Sequence, residues 1–416
     1  MKILFITYFF APYNCIGAVR TTRTVEKLID MGHDVKIISA KDQHLMSNLS
    51  TTVSETHIKR TSWFDFEKPI YSILGSNKVS SVKNNTHKGS FTSKLLNLIN
   101  IIFQRVISMP DKYIGWYSFA VKESKKIINK GWVPDLIFAS ATPYTSLIVA
   151  KKISKYYDIP WIGELRDLWS DNHYGYGWWI DKKFEKSTLK TASALVTVSK
   201  TLKIVLEKKY PYIPVHTVQN AFDEKDFLSA HQKKETSEVI KIVYTGAVYS
   251  GKRDPSPLFE ALEQNEDIRK SIHVDFYGND LGYIDFLVKK YNLFDCVHIN
   301  GSVSREAALK YQQEASVLLL LTWDNPKEKG VLTGKLFEYI GSSKPILLIG
   351  ALKDEASKLI TDNGLGVASN SPSEIIQFLK NLSKEDFNIN INSRKRFERT
   401  QQVINLQNIF YEVTKP

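Results

Sequence analysis

The chain has 416 residues, of which 43% are hydrophobic and 24% are charged. Those fractions match globular proteins and exclude a chain that is disordered throughout, while the length predicts two domains instead of one small core. Lysine and arginine number 56 against 44 acidic residues, a net charge of +12 that favours an anionic partner.

The start of the chain, MKILFITYFFAPYN, lacks the basic segment and cleavage site of a secretory signal. No uncharged apolar run reaches the ~18 residues that a membrane span needs. Cys15 and Cys296 have no Cys or His companions at zinc spacing. We therefore predict a cytoplasmic protein without a disulfide scaffold or a bound metal.

The first 220 residues alternate β-branched or aromatic runs with helical periodicity, which predicts a parallel sheet covered by helices. The predicted strands are Lys2–Phe9, Asp34–Ser39, Asp135–Ser140, Pro160–Leu165, Ala194–Val198 and Val215–Gln219. The predicted helices are Ala18–Met31, Pro143–Tyr157 and Lys200–Lys209.

A polar segment, Asp223–Glu238, is predicted as a linker, and the alternation restarts after it. The second set of predicted strands is Lys241–Thr245, Ile272–Tyr277, Cys296–Asn300, Val317–Leu321, Pro345–Ile349 and Leu365–Ala368. Its predicted helices are Pro255–Gln264, Ser304–Glu314, Leu332–Gly341 and Asp354–Thr361. Two doubly wound halves follow, and we expect a substrate in the cleft between them.

The stretch Lys41–Tyr117 shows no clear pattern, and Ser76–Ser93 within it is predicted to be a mobile loop. The next segment, Leu95–Ile107, is largely apolar. Two interpretations stay open for it: a buried core helix, or a helix that docks on a membrane surface.

Two groups of candidate residues lie in the first half. Gly17 opens a helix that carries Arg20, where free helix-end N–H groups could hold a phosphate, although a simple turn explains the glycine equally well. Glu164, Arg166 and Asp167 fall at the carboxyl end of a predicted strand and are followed by aromatic residues. They could line the cleft and contact a substrate, or Arg166 and Asp167 could form a local ion pair.

The second half has a glycine loop with Lys252 and Arg253 between a strand and a helix, which suits a diphosphate or is a solvated loop. Gly246, Gly278, Ser302 and Val303 follow three successive strands, where a backbone can approach a ligand closely, and are candidate ligand contacts.

In the segment GVLTGKLFEYIG, Lys335 and Glu338 are three residues apart, with Thr333 and Gly334 in the first turn of the helix. A lysine there can reach phosphate oxygens while a carboxylate accepts hydrogen bonds from a ribose, or the two form a surface ion pair.

Five separated motifs together resemble the family 4 glycosyltransferases of the GT-B fold. They are KILFITYFFAP with GHDV, ASATPY with GELRDLW, YTGAVYSGKRDP, DFYG and GVLTGKLFEYIGSSKPIL, and only Lys41–Tyr117 is left out. The resemblance implies two Rossmann-like lobes facing each other: residues 1–222 for the acceptor, 239–385 for the nucleotide sugar, and 386–416 as a helical segment returning to the first lobe.

The resemblance also implies transfer of a sugar, with retention, from a nucleotide-diphosphate sugar without a bound metal. It assigns diphosphate binding to Lys335 and to Lys252 or Arg253, as catalytic cations, and ribose binding to Glu338. The family's E-x7-E pattern has Gly330 in place of its first glutamate here, and Glu328 lies near enough in sequence to replace it. The acceptor implied is a saccharide, expected to be lipid-linked and made into bacterial surface polysaccharide at the inner membrane face.

Two other functions are compatible with parts of the sequence. A sugar-nucleotide epimerase shares the fold class but needs acid and base groups, and His273 and His298 lie in predicted strands. A nucleic-acid-binding protein would explain the charge, yet no recognition motif is present, so we predict no nucleic acid partner.

Overall fold

The computed structural model describes residues 1–66, 109–172, 179–227, 239–382 and 391–415. The predicted helix 95–107 and the aromatic residues Tyr174, Tyr176 and Trp178 lie outside them. The chain divides into two compact units. The first consists of Met1–Val198, Leu202–Val218 and Asn405–Pro416, and the second of Ser199–Thr201 and Gln219–Ile404.

The first unit is built on a seven-stranded parallel sheet with the order β3-β2-β1-β4-β5-β6-β7. Its strands are β1 Lys2–Ile6, β2 Asp34–Ala40, β3 Ile58–Thr61, β4 Leu136–Ala141, β5 Trp161–Leu165, β6 Ala194–Thr197 and β7 Val215–Thr217. Its helices are α1 Ile16–Asp30, α2 Tyr117–Asn129, α3 Thr145–Tyr157, α4 Trp179–Leu189 and α5 Lys200–Lys209.

The second unit has a six-stranded parallel sheet with the order β10-β9-β8-β11-β12-β13. Its strands are β8 Ile240–Thr245, β9 Ile272–Tyr277, β10 Val297–Gly301, β11 Val317–Leu321, β12 Ile346–Ile349 and β13 Gly366–Ala368. Its helices are α6 Ser256–Glu263, α7 Glu266–Arg269, α8 Gly282–Lys290, α9 Arg305–Glu314, α10 Gly334–Gly341, α11 Glu355–Asp362, α12 Pro372–Leu382 and α13 Ile391–Lys395.

Both faces of each sheet are buried, which is why the strands have nearly continuous apolar sequences. In β8, Ile242 and Tyr244 belong to the core on one face and Val243 to the core on the other. The order of strands reverses between β1 and β4 in the first unit and between β8 and β11 in the second. Ligands of doubly wound sheets bind at such switch points.

Several sequence-based boundaries were wrong by a few residues. β1 ends at Ile6 instead of Phe9, and α10 begins at Gly334 instead of Leu332. The short edge strand β3 falls in the stretch 41–117, which shows no clear pattern in the sequence, and α2, which was not predicted, begins at the last residue of that stretch. The structure places them there because tertiary packing compensates for weak local patterns.

Among the residues that the structure describes, the helical segment predicted for 386–416 contains two helices. α13 ends at Lys395, and the last helix, α14, spans Arg399–Thr414. Between them Phe397 is buried and Glu398 pairs with Phe222 in an isolated β-bridge, so the backbone hydrogen bonds leave the helix there. The end of α14 belongs to the first unit, where the ring centres of Phe410 and Phe138 lie 5.4 Å apart.

Candidate functional site

Three glycines meet at the carboxyl ends of adjacent strands in the second unit. The Gly246 N–H donates to Tyr277 O over 2.7 Å, and the Gly278 N–H donates to Gly301 O over 2.7 Å. A Cβ at Gly278 would lie 2.2 Å from Gly246 O, closer than any side chain permits. The loop after β8 and the loop after β9 therefore pack backbone against backbone, beside the switch point of the sheet.

Lys335 extends from the first turn of α10 to this glycine contact. Its Nζ lies 4.0 Å from the centre of the Tyr244 ring and 2.6 Å from where a Cβ on Gly246 would be. Tyr339, one turn further along α10, accepts a hydrogen bond from the Thr245 N–H over 3.2 Å and so ties the helix to the end of β8. The glycine and this tie together give the ammonium group its position.

The electrostatic environment of Lys335 is unfavourable for its own charge. Burial, and then the nearby positive charge of Arg253, lower the pKa of Lys335 to about 7, against a smaller opposite effect of Glu338. A buried ammonium group next to a second cation is stabilised when an anion binds between or beside them. This is the electrostatic property expected of an anion site.

Arg253 and Lys252 lie in the loop after β8. Arg253 donates to Ala247 O over 3.1 Å and stacks on Tyr249, with 5.2 Å between the guanidinium carbon and the ring centre. The Nζ of Lys252 is 4.8 Å from the ring centre of Trp323, which follows β11. Within the described ranges, no carboxylate lies within 4.0 Å of Lys335, Arg253 or Lys252, so all three cations are available to an anion.

Glu338 does not pair with Lys335, as the surface-pair alternative required. Its Oε1 instead lies 3.4 Å from Nη2 of Arg305, and the same guanidinium nitrogen donates to Asp226 Oδ2 over 2.8 Å. Sequence reasoning missed Arg305, although it directly follows the N-cap Ser304 and lies two residues after the candidate Val303. A basic first helical residue next to a candidate glycine loop was the available signal.

The other residues predicted in this half surround the same strand ends. Thr333 is the N-cap of α10 without a capping hydrogen bond from its side chain, and Gly334 is the first helical residue. Ser302 is exposed after β10, and Val303 packs on the core next to it. Free N–H groups at the start of α10 add positive potential to that of Lys335.

Gly330 occupies the position of the first glutamate of the E-x7-E pattern, and its backbone conformation disfavours a glutamate there. Gly330 has φ +80°, and a Cβ there would lie 2.6 Å from Cβ of Thr201. Its N–H donates to Asp354 Oδ1 over 3.0 Å. Glu328 lies in the 3-10 turn Pro326–Glu328 just before it, so its replacement of that glutamate stays a prediction.

A second polar cluster lies in the first unit. Arg20 Nη2 donates to Glu164 Oε1 over 2.7 Å and to Val218 O over 2.9 Å, and Ser140 Oγ donates to Glu164 Oε2 over 2.5 Å. Burial alone would raise the pKa of Glu164, but the Arg20 and Arg166 guanidinium groups and the Ser140 hydroxyl hold it below its usual value. Arg20 and Glu164 are thus a buried, mutually satisfied pair inside the sheet.

Arg166 is the member of this cluster that reaches the strand ends. It donates through Nε to Ala141 O over 2.9 Å and through Nη2 to Thr142 O over 2.7 Å, at the end of β4. A Cβ on Gly17 would lie 2.8 Å from its Nη1, so glycine at the start of α1 makes room for the guanidinium group. Asp167 is exposed beside it. The structure brings Gly17, Arg20, Glu164 and Arg166 together.

Three histidines among the described residues make packing or hydrogen-bonding contacts. The His273 and His298 rings pack with centres 5.4 Å apart within β9 and β10. His33 is buried, as a core histidine, with Nε2 2.7 Å from Nε2 of Gln407. Among the residues that the structure describes, no three His, Cys, Asp or Glu side chains form a group that could hold a metal.

Both cysteines are free thiols. In the described ranges, no helix combines the length and the apolar character that crossing a membrane requires.

Neither a protein family model nor a curated protein matches the sequence of this chain. Solved structures do match over its whole length. Anabaena HepE in complex with UDP shares 12% identity at a TM-score of 0.63 and covers 99% of this chain and 100% of its own. Sucrose-phosphate synthase from Thermosynechococcus elongatus shares 13% identity at a TM-score of 0.61, covering 99% of both chains.

The lipopolysaccharide outer core galactosyltransferase WaaB, in its apo form, is similar at a TM-score of 0.59 and 12% identity, with 99% of both chains covered. At sequence identities this low, the structural similarity shows the fold and nothing further. The chain has the GT-B fold with two Rossmann-like units, and the fold predicted from the five motifs is confirmed.

Proposed function

We propose that this chain is a glycosyltransferase that takes a sugar from a nucleotide-diphosphate donor and transfers it, with retention, to a saccharide acceptor. The proposal depends on one observation. Three cations, Lys335, Arg253 and Lys252, have no carboxylate partner among the described residues, and they lie beside a glycine loop and the N-terminus of α10. A diphosphate supplies the negative charge that this group lacks.

The chemistry follows from where charge develops during transfer. As the bond from the sugar to the diphosphate breaks, negative charge grows on the leaving phosphate oxygens. Lys335 and Arg253 stabilise that charge more strongly in the transition state than in the bound donor, which raises turnover. Glu338, held by Arg305, accepts hydrogen bonds from the ribose hydroxyls and orients the donor.

The acceptor proposal rests on the first unit and on the similar proteins. Arg166 and Gly17 lie at the end of the first sheet, and the similar protein WaaB is a lipopolysaccharide outer core galactosyltransferase. We propose a lipid-linked saccharide of a bacterial surface polysaccharide as acceptor. The protein would act in the cytoplasm as a peripheral protein on the inner membrane face, for which the net charge of +12 is the support.

Nucleotide binding tests the proposal most simply. HepE was solved with UDP, so UDP is the first candidate. A ligand that binds the folded state raises the melting temperature, so UDP, GDP and ADP are each compared with the monophosphate of the same nucleoside in a thermal-shift series. One diphosphate should stabilise the protein clearly more than its monophosphate. If no nucleoside diphosphate shifts the melting temperature, the donor proposal is wrong.

A further inference from the structure

Three neighbouring helices of the first unit hold an unusual share of the positive charge. Residues 117–130, 145–158 and 179–190, which comprise α2, α3 and α4 with their last-turn neighbours, contain eleven lysines, no arginine and four acidic residues. This gives a net charge of +7 out of the +12 of the whole chain. α2 packs against α3, and α3 packs against α4, so the three form one layer. We call its outer surface the basic layer.

The lysines of α4 share one face of the helix. Lys182, Lys183 and Lys186, together with Lys190 directly after the helix, are all exposed and recur at helical spacing with Trp179. Within the described residues, none of these four lysines lies within 4.0 Å of a carboxylate. The acidic Glu185 of the same helix is instead buried, where it accepts hydrogen bonds from Lys209 and Tyr210.

The charges of neighbouring helices adjoin one another. Burial, and then the positive charges of Lys190 and Lys155, lower the pKa of Lys151 on α3. The only ion pair within the layer, among the described residues, is between Lys126 and Glu123 of α2, at 3.6 Å. Repulsion between unpaired lysines destabilises a free surface and is relieved when an anionic surface approaches.

Aromatic rings stand among these lysines. Trp179 is 55% and Tyr156 is 61% exposed. Lys183 Nζ lies 4.7 Å from the centre of the Trp179 ring, and Lys125 Nζ lies 3.6 Å from the centre of the Tyr156 ring. Rings with an apolar body and a polar edge are the residues that lie at the boundary between lipid and water.

We propose that the basic layer of α2, α3 and α4 is the surface by which the protein docks on an anionic lipid membrane. A cluster of lysines with exposed aromatic rings beside it fits attraction to the anionic headgroups of a lipid surface. The inference deepens the membrane location proposed above. It does not depend on the transfer reaction, since binding is measured without a donor.

The test compares two triple variants with equal loss of charge. The first, Lys182→Gln with Lys183→Gln and Lys186→Gln, changes the basic layer. The control, Lys270→Gln with Lys289→Gln and Lys310→Gln, changes exposed lysines of the second unit that pair with carboxylates of their own helices. Binding is measured by co-sedimentation with phosphatidylcholine vesicles, with and without phosphatidylglycerol, at low and high salt.

The wild type should bind only the anionic vesicles, and less at high salt. Each lysine near an anionic surface contributes roughly a factor of five, so the basic-layer variant should lose on the order of a hundredfold in affinity. The control should change by about threefold or less. Trp179→Ala should lower the part of the binding that survives high salt.

Equal losses in the two triple variants would mean that only net charge matters and would overturn the proposal. So would unchanged binding of the basic-layer variant, which would assign docking to another segment, such as 95–107. A basic-layer variant that keeps vesicle binding but loses binding to RNA would favour a nucleic acid. If the wild type ignores anionic vesicles, the membrane location itself is wrong, while the donor site is unaffected.

Discussion

Lys335 combines a charged group, an enclosed position and a neighbouring cation. Its pKa of about 7 in the folded protein lies below its ordinary value of 10.5. Between those two values the unfolded chain binds more protons than the folded one, so this group makes the free energy of unfolding rise with pH. Below pH 7 both states are protonated, and the buried charge destabilises the folded protein most.

The first prediction concerns proton uptake on donor binding. A diphosphate favours the charged form of Lys335, so UDP binding above pH 7 should take up a proton, and UDP affinity should fall as the pH rises from about 7 towards 10. Calorimetry in buffers with different ionisation enthalpies measures the uptake. Lys335→Arg is the control, because arginine stays charged and should bind UDP without taking up a proton. Uptake that persists in that variant would assign it to another group.

The second prediction concerns Arg305, which contacts both Glu338 and Asp226. As a positioning residue it should act on donor binding through Glu338, so Arg305→Ala should raise the KM for the donor several-fold and change kcat little. Arg305→Lys should restore part of the KM. An equal fall in kcat with unchanged KM would contradict this role.

At the scale of elements, the glycine loops determine where the cations lie. Gly246 has φ +123° and is close to the Lys335 ammonium group, whereas Gly364 has φ +62° with nothing within 4 Å of an added Cβ. Both positions favour glycine for backbone reasons, so alanine should lower the stability of both variants.

The third prediction distinguishes the effect of backbone strain on stability from the effect of Gly246 on UDP binding. Gly246→Ala should displace Lys335 and weaken UDP binding by about tenfold or more, the loss of one charge-assisted contact. Gly364→Ala should melt earlier but bind UDP like the wild type. Titration of UDP into both variants below their melting temperatures decides this. Equal affinities would mean that the closeness of Gly246 to Lys335 has no role in binding.

The fourth prediction concerns α14, whose final turns belong to the first unit. Phe410 is fully buried against Phe138, so Phe410→Ala should lower the free energy of unfolding by about 3–5 kcal/mol. Asn408 is exposed on the same helix, and Asn408→Ala should stay within about 0.5 kcal/mol of the wild type. Urea denaturation compares the two. A small effect at Phe410 would contradict its place in the core.

The elements that the sequence predicted well are those whose pattern is set by burial on both faces. β11, with the sequence VLLLL, has five buried residues in a row, and such a continuous apolar sequence predicts a central strand. β3, with IKRT, is an edge strand with a weak pattern and was missed. The pairing of Arg20 with Glu164 joins residues 144 positions apart, which no local pattern indicates.

At the scale of the whole molecule, the GT-B fold is shared with proteins at only 12–13% identity. A fold alone does not fix a function. The functional assignment therefore depends on the cations at the carboxyl ends of β8 and β11, and on the glycines that let the loops approach one another. The placement of the candidate residues of the second half at strand ends was predictable, because they follow strands in a doubly wound pattern. That their cations have no carboxylate partner among the described residues required the structure.

The most direct test of the donor site measures UDP affinity, turnover and melting temperature for Lys335→Ala and Glu338→Gln. We expect the Lys335→Ala variant to bind UDP more weakly and to lose about a hundredfold or more in kcat. The reason is that the Lys335 ammonium group stabilises the leaving diphosphate in the transition state. Glu338→Gln should weaken donor binding with little effect on kcat. Lys270→Ala, at an exposed surface pair, is the control and should match the wild type. Wild-type affinity and turnover in a folded Lys335→Ala variant would contradict the account.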